Sequence, residues 1–210
     1  MHDNSTAWIS GMHQSARLSE QPAGGSGFDL MVRAVAGVLR NAQDGELPLF
    51  AWTLGLPQPE LSAMVARCFP ELGTLEWLPQ QQYAAIVAAA PGEFRDLAAM
   101  LLANRSATAD LQHADWLAHA VAAASLGSRH LWQDLGLTGR DAVCRLLEQY
   151  FAPLYRCNTQ NLKWKRFLFA ELGALQGRHD LQPPKCHDCA EFPVCFPISD
   201  QADNAHGNQR

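Results

Sequence analysis

The stretch DLQHADWLAHAVAAAS, from Asp110 to Ser125, decides the fold class of this chain. Its apolar residues recur every three or four positions, at Leu111, Ala114, Leu117 and Val121. That spacing places them on one face of an α-helix. The helix is expected to stop before Gly127, because glycine is the usual residue just beyond a helix C-terminus.

Most of the remaining chain shows the same helical period. Apolar residues at helical spacing predict helices over residues 28–42, 59–69, 80–104, 141–154 and 159–176, the third of them broken at Pro91-Gly92. No segment alternates apolar and polar residues between turn signals, so strands are not expected. The predicted fold is all-α, an irregular helical bundle with a C-terminal Pro-rich cysteine loop.

The composition is that of a globular chain rather than a disordered or membrane-spanning one. The 210 residues are 48% hydrophobic, which is enough to bury a core, and 16 Lys and Arg against 21 Asp and Glu give a formal net charge of -5. No apolar run approaches the roughly 20 residues needed to cross a bilayer. The acidic balance disfavours a nucleic acid as partner. Neither a membrane nor a nucleic acid is therefore expected to bind this chain.

Compositional breaks divide the chain into four parts. Residues 1–27 are rich in Ser, Gly, Gln and His and are expected to be a disordered tail, as are the polar residues 199–210. Residues 28–178 form the helical domain, and residues 179–198 form a cysteine loop packed on it. The first residues, MHDNSTAWISGMHQ, lack the basic and apolar segments of a secretory signal, so a cytoplasmic location is expected.

Three cysteines lie close together in the segment PPKCHDCAEFPVCFP, residues 183–197. Cys186, Cys189 and Cys195 have the spacing C-x2-C-x5-C, and prolines keep the segment from forming a helix. In a reducing compartment such a cluster can place its sulfurs around one metal centre. Inert buried thiols and a thioredoxin-like pair are the alternatives, but a Pro-rich loop is poor core material and no strand precedes the pair. The motif therefore predicts a metal site.

The identity of the metal depends on a fourth ligand. Structural zinc needs four protein ligands, and the candidates besides the three loop cysteines are Cys157, His179 and His187. A cluster with three irons needs only three thiolates, one for each iron. A further metal at the open corner of such a cluster would have exchangeable ligands. Exchangeable ligation suits a protein that must release its metal.

The segment before the cysteines is basic. From Arg156 to Cys186 it has six basic residues and two acidic ones, a net charge of +4 within an acidic chain. Lys163, Lys165 and Arg166 are the candidates for holding an anionic cargo, since thiolate-ligated clusters and molybdate-like oxyanions are both negative. A solvated helix face is the alternative interpretation. On the same helix an apolar stripe is expected to face the core: Trp164, Leu168, Leu172 and Leu175.

The segment HLWQDLGL, from His130 to Leu137, contains a further candidate metal ligand. His130 and Asp134 share a face if the segment is helical, so the carboxylate could orient the imidazole as a ligand. In the alternative, the segment is a short helix anchored by its apolar side chains and capped by its histidine. Cys68 and Cys144 lie in apolar helical stripes and are expected to be core residues.

Four segments together resemble the NifQ family of nitrogen-fixation proteins. They are FAWTLGLP (residues 50–57), HLWQDLGL (130–137), NLKWKRFLFAELG (161–173) and the cysteine motif followed by Phe196-Pro197. The resemblance covers residues 28–198. It implies a carrier without catalytic turnover that binds a molybdenum-iron-sulfur cluster and supplies molybdenum for assembly of the nitrogenase iron-molybdenum cofactor. The partners it implies are the NifEN scaffold, the NifH protein, and molybdate or another molybdenum source.

The chain departs from the family at one position. The family pattern is C-x4-C-x2-C-x5-C, and Leu181 occupies the place of its first cysteine. The three loop cysteines carry over, while the remaining ligand would come from Cys157, His179 or His187. The alternative function is a helical interaction module whose C-terminal loop is stapled by zinc and whose basic helix contacts a partner.

Overall fold

The computed structural model describes residues 27–73 and 76–184 of the chain. Within them the α-helices are α1 (Gly27–Gln43), α2 (Gln58–Cys68), α3 (Gln80–Ala88), α4 (Gly92–Ala103), α5 (Leu111–Ser125), α6 (Leu131–Asp134), α7 (Arg140–Tyr150), α8 (Ala152–Cys157) and α9 (Trp164–Gln176). Short 3-10 helices span Leu49–Thr53 and Pro70–Leu72. This part of the chain contains no strand, so the predicted all-α class is confirmed. None of these helices combines the length and apolarity needed to cross a bilayer.

Several predicted features lie outside the described residues. They are the two tails, apart from Gly27 with which α1 begins, and the cysteine motif with Cys186, His187, Cys189 and Cys195.

The central helix of the bundle is α5. From Trp116 to Ser125 every residue except His119 is buried, because small alanines allow neighbouring elements to approach from several sides. A helix that is apolar all round is stable only when it is buried in this way. Its first turn is capped by Asp110, whose carboxylate accepts a 2.9 Å hydrogen bond from the backbone N–H of His113.

The other helices pack around α5 in a way that fixes the positions of α6 and α9. α1 and α4 lie against α5, and α7 contacts both α1 and α8. The short helix α6 contacts α1, α5 and α7, while α9 contacts α4. Buried apolar side chains form one core cluster that runs from Met31 in α1 to Leu172 in α9. The α9 end of this cluster therefore supports an element that carries candidate site residues.

The backbones of α1 and the end of α6 come very close at Gly37. A Cβ at this position would lie 2.1 Å from the carbonyl oxygen of Leu135 and 2.7 Å from Cα of Gly136. These are backbone atoms, which cannot rotate away as a side chain can. One turn later, Asn41 donates hydrogen bonds from Nδ2 to the carbonyls of Gln133 and Asp134, at 3.0 and 2.9 Å. α1 therefore holds α6 by a close contact and by two hydrogen bonds.

The helix predicted over residues 141–154 is interrupted in the structure. Phe151 has a φ of -136° and a ψ of 47°, which are not helical, so α7 ends at Tyr150 and α8 begins at Ala152. Pro153 explains the break, because in a continuous helix its ring would clash with the carbonyl four residues earlier.

The predicted start of the last helix, at Thr159, is also wrong. α9 begins at Trp164 because the preceding residues form a turn. The side chain of Asn158 accepts from the backbone N–H of Leu162 at 2.8 Å and donates to its carbonyl at 2.9 Å. Asn161 has a φ of +53° in this turn. Asparagine side chains stabilise turns in this way and so compete with helix formation.

The apolar stripe predicted on α9 is correct except for Leu175, which is 72% exposed. Near its C-terminal end, α9 is covered by the following chain on the side that carries Gly173. A Cβ added to Gly173 would lie 2.3 Å from the carbonyl oxygen of Arg178. Two residues further along, Leu175 lies about 200° around the helix from Gly173 and faces solvent.

Replacing Gly37 by alanine tests the close contact between α1 and α6. We expect Gly37→Ala to lower the free energy of unfolding by about 1–3 kcal/mol, because the added methyl group overpacks a contact made by backbone atoms. Urea denaturation followed by far-ultraviolet circular dichroism measures the change. Gly92→Ala is the matched control, since a Cβ there meets nothing within 4 Å. Equal stability of the two variants would contradict the contact.

Candidate functional site

A cavity of about 450 Å³ opens between α6, α7 and the start of α9. Its wall includes residues 127–133, Arg140 and Val143 of α7, residues 163–166 and the pair Pro183-Pro184. The volume falls within the range of about 300–1,000 Å³ that is typical of small-ligand sites. Because Cys186 follows two residues after Pro184, the cavity lies where the chain leads into the cysteine motif.

The wall of this basic cavity carries many cations: Arg129, Arg140, Lys163, Lys165 and Arg166. Among residues 27–73 and 76–184, no aspartate or glutamate lines it. Charges of one sign around a cleft with low-dielectric walls concentrate the electric field, so the cavity attracts anions. The three basic residues singled out from the sequence thus lie together, and two arginines from elsewhere in the chain join them.

One buried carboxylate fixes the position of this wall. Asp134, at the end of α6, has no exposed side-chain surface. Its Oδ1 accepts a 2.9 Å hydrogen bond from Nε of Arg129, and its Oδ2 accepts from Nζ of Lys165. Lys165 also donates to the carbonyl of Gly127 at 2.9 Å. A buried charge requires partners of this kind, so Asp134 ties the segment before α6 to the start of α9.

These contacts distinguish the two interpretations of HLWQDLGL. The carboxylate of Asp134 pairs with Arg129 at Oδ1 and with Lys165 at Oδ2. α6 is the short helix of the alternative interpretation, with His130 at its N-cap position. The backbone N–H of His130 donates to Oε1 of Gln133 at 3.0 Å, which closes the first turn.

His130 lines the basic cavity all the same. Burial lowers the pKa of its imidazole, and the charges of Lys163 and Lys165 lower it further against the opposing effect of Asp134. A lowered pKa keeps the imidazole neutral at neutral pH, which is the form with a lone pair for a metal. His130 therefore stays a candidate ligand.

Two buried donors on residues of the cavity wall have no acceptor. They are Nη2 of Arg129 and the indole Nε1 of Trp164. Trp164 is only 6% exposed, its ring stacks on Tyr155 with 5.8 Å between ring centroids, and the guanidinium of Arg140 lies 5.6 Å from its centroid. Buried donors without a partner are rare in folded proteins, and a bound ion is one of their common explanations.

The remaining candidate ligands are not on this wall. Cys157 ends α8 and is exposed, with its Sγ donating to the carbonyl of Pro153 at 3.3 Å. His179 is also exposed, and neither residue lines the cavity. The described part of the chain holds no group of three or more His, Cys, Asp or Glu side chains that could bind a metal ion. The metal-binding roles of Cys186, His187, Cys189 and Cys195 stay predictions.

The other cysteine positions have structural roles. Cys68 is buried, and burial raises the pKa of its thiol to about 11. Cys144 is half-buried against the core, so the predicted core role of both residues is confirmed. Leu181, where the resemblance places a cysteine, also packs on the core, with its Cβ 3.2 Å from where a Cβ of Gly173 would lie.

Arg129 and Arg140 are not among the residues expected from the sequence, because both lie before the segment from Arg156 to Cys186 in which basic residues are dense. The sequence feature that could have pointed to Arg129 is Asp134. A carboxylate in an apolar helical segment needs a cation, and Arg129 lies only five residues away. No local pattern identifies Arg140, which reaches the site through its place on α7.

Comparison with known proteins identifies the family. The family model described as NifQ matches residues 34–197 of the chain. The chain belongs to the NifQ family. Protein NifQ of Azotobacter vinelandii is 30% identical over 167 residues, 76% of this chain and 84% of the relative. Protein NifQ of Rhodobacter capsulatus is 32% identical over 177 residues, 83% of this chain and 89% of the relative.

A protein NifQ homolog of Sinorhizobium fredii is 31% identical over 152 residues, 68% of this chain and 60% of the relative. No solved structure matches the chain. The NifQ resemblance predicted from the sequence is thus confirmed, and membership gives the protein a role in nitrogen fixation.

Asp134→Asn tests the contact that positions the basic cavity in this NifQ-family protein. We expect it to lower the free energy of unfolding by about 3–5 kcal/mol, because the substitution removes the charged partner of a buried ion pair with Lys165. Chemical denaturation followed by circular dichroism measures the loss.

Asp141→Asn is the matched control for this change. Asp141 is exposed in the first turn of α7, where a carboxylate contributes about 0.3–1 kcal/mol. Equal losses of stability in the two variants would show that Asp134 does not form the stabilising buried ion pair described above.

Proposed function

We propose that this NifQ-family protein is a carrier rather than an enzyme. Its cargo would be a molybdenum-iron-sulfur cluster held by the thiolates of Cys186, Cys189 and Cys195, from which it donates molybdenum for assembly of the nitrogenase iron-molybdenum cofactor. One observation carries the proposal: the wall of the basic cavity includes Pro183 and Pro184, immediately before the cysteine motif. An anion-attracting surface therefore adjoins the thiol ligands along the chain.

The charge of the cavity suits this cargo. An iron-sulfur cluster with thiolate ligands is negative, and molybdate is negative as well. The cavity wall includes the N-terminal turn of α9, from Lys163 to Arg166, so two lysines and an arginine are joined by the partial positive charge of a helix N-terminus. These features lower the electrostatic cost of holding an anion beside the loop, although the whole chain is acidic.

Three thiolates are sufficient for a cluster of this kind. Each can bind one iron, which leaves a molybdenum at the fourth corner with ligands that exchange. Among the described residues, His130 is the candidate for this corner because its imidazole is on the cavity wall. Cys157 and His179 are not on that wall, so we do not assign them a ligand role.

The carrier proposal also implies where the metal comes from and where it goes. We propose that molybdate or another molybdenum source supplies the metal, and that the NifEN scaffold and the NifH protein receive it in the cytoplasm. Exchangeable ligation fits this role because a carrier must release its metal. No catalytic turnover is required at any point.

The visible spectrum of anaerobically purified protein tests the proposal. We expect a brown protein with sulfide-to-iron charge-transfer absorption, containing molybdenum, iron and acid-labile sulfide. A colourless protein with bound zinc would contradict the proposal that this protein carries a cluster. It would support a helical interaction module with a structural zinc loop.

Single substitutions of the loop cysteines test the ligand set. Cys186→Ala, Cys189→Ala and Cys195→Ala are each expected to remove nearly all bound iron and molybdenum, because each thiolate is proposed to hold one metal. Metal analysis measures the loss, and circular dichroism checks that the helices remain. Cys68→Ala and Cys144→Ala are the controls and should retain the metals at a cost of about 1 kcal/mol in stability. Equal metal content in all five variants would contradict the assignment.

Cys157→Ala addresses the ligand missing at Leu181. We expect this variant to keep its metals, because Cys157 is exposed at the end of α8 and its thiol is hydrogen-bonded to Pro153. Loss of the cluster as complete as in Cys189→Ala would instead assign the fourth ligand to α8.

Chelation under anaerobic conditions separates the scaffold from the site. We expect the helical circular dichroism to persist, because the core cluster of the described residues already runs from Met31 in α1 to Leu172 in α9, which precede the loop cysteines in the chain. Any increase in proteolysis should be confined to the chain after Arg178. Loss of the helical signal on chelation would contradict this separation.

A further inference from the structure

The helix α3 has an unusual composition for a surface helix. Among residues 27–73 and 76–184 it is the one α-helix without a charged residue, and the uncharged stretch runs from Trp77 to Gly92. Residues 83–90 are all apolar. A surface helix carries charged and polar residues on the side that faces water, whereas a helix that is apolar all round is a buried one. From Tyr83 onward the sequence is therefore that of a covered helix.

The described part of the chain covers only the inner side of α3. Tyr83 is buried and donates a 2.8 Å hydrogen bond to the carbonyl of Leu56. Ile86 and Val87 are half-buried against the core. A helix of this length is marginal in water by itself, so these contacts hold α3 in place.

The outer side of α3 presents apolar side chains to solvent. Ala84, Ala85 and Ala88 are exposed and lie within about 100° of one another around the helix axis. Trp77, three residues before α3 begins, is 61% exposed. We call these four residues the α3 face. Interface centres are depleted of charge, and tryptophan is enriched among the residues that dominate binding energy. The α3 face has both properties.

The chain around the α3 face is acidic. Residues 41–94 contain six acidic residues and one basic residue, Arg67, whose guanidinium lies 5.8 Å from the ring centroid of Phe28. Two of the six carboxylates lie near an arginine elsewhere in the fold, Glu46 at 3.8 Å and Glu93 at 3.7 Å. The sign of this region favours a partner with basic residues.

Glu60 and Glu71 are the carboxylates that border the α3 face. Glu60 is exposed in the first turn of α2. Burial raises the pKa of the Tyr83 phenol and the charge of Glu60 raises it further, so the Glu60 carboxylate lies close to α3. Glu71 is exposed in the 3-10 helix that precedes Trp77. An apolar surface with an acidic border results.

We propose that the α3 face is the docking site for an α-helix of another protein, one whose apolar stripe is bordered by lysine or arginine. The stripe packs on the alanines and on Trp77, and the basic side chains approach Glu60 and Glu71. The inference goes beyond the proposed function and does not depend on a bound cluster.

Charge also distinguishes this partner from a second copy of the chain. In a symmetric pair the same surface of each copy meets the other, so the acidic borders of two α3 faces would be brought together. Like charges placed opposite each other oppose association, and the whole chain has a net charge of -5. A basic partner meets no such repulsion.

Two designed peptides test the inference with the full chain. Each is a helix of about 18 residues, or about five turns, with leucines along one face. Lysines border the leucines in one peptide, and glutamates border them in the other. Fluorescence anisotropy of the labelled peptides measures binding. We expect saturable binding of the lysine peptide, about tenfold weaker binding of the glutamate peptide, and an affinity that falls as salt rises.

Substitutions of exposed alanines locate the docking site. Ala84→Gln with Ala88→Gln lengthens two side chains of the α3 face, while glutamine keeps a good helix propensity, and is expected to weaken binding of the lysine peptide about tenfold. Ala170→Gln with Ala174→Gln is the matched control, since these two alanines are exposed at the same spacing on α9. The control should leave the affinity unchanged. Trp77→Ala should weaken binding several-fold.

Substitutions of the acidic border test the charge. Glu60→Gln with Glu71→Gln is expected to reduce the difference in affinity between the two peptides, because it removes the carboxylates that favour lysine. Glu148→Gln, at an exposed position on α7, is the control and should preserve the difference.

Each alternative result would overturn the inference in a definite way. Equal affinity for the two peptides would exclude a basic partner, and no saturable binding of the lysine peptide would exclude a docking site for such a helix. Unchanged affinity in the Ala84 and Ala88 double substitution would place the peptide elsewhere. Sedimentation of the chain without peptide tests the second copy: self-association that the same double substitution abolishes would assign the α3 face to a homodimer.

Discussion

The buried carboxylate of Asp134 is the contact on which the basic cavity depends. It binds Arg129 and Lys165, and so it joins the segment before α6 to the start of α9. Gly127 borders it so closely that a Cβ there would lie 2.3 Å from Oδ2 of Asp134. A buried ion pair adds little net stability compared with an apolar replacement. Its main effect here is therefore on position, because it holds two cations at the wall instead of letting them extend into water.

Fixed cations bind anions differently from free ones. Lysine and arginine side chains lose rotamer freedom when they gather around a ligand, and that loss weakens binding. In this fold much of the ordering is complete before a ligand arrives, since Asp134 holds Arg129 while the Asn161 turn and the ring of Trp164 hold Arg140. The result is a preorganised set of cations on a cavity wall that also includes Pro183 and Pro184.

Local sequence patterns predicted the helices well wherever packing was the only influence. α1, α2 and α5 lie within one or two residues of the positions given by their apolar spacing. The errors occur where a local interaction opposes the helix. Pro153 ends α7 early, and the side-chain hydrogen bonds of Asn158 delay α9 to Trp164. The prediction that Leu175 faces the core is wrong for a different reason. The chain that follows α9 covers the side of the helix with Gly173 and leaves the side with Leu175 exposed.

The sequence by itself determined the all-α class, the NifQ resemblance and the basic character of the segment before the cysteines. Each depends on residues that are close together in the chain, so periodicity, motif spacing and charge counting are sufficient. Only the tertiary structure decided that Arg129 and Arg140 join that segment, and that Asp134 binds Lys165, 31 residues later. Those pairings depend on how α6, α7 and α9 pack. Packing is set by the whole core and is not encoded in any single local pattern.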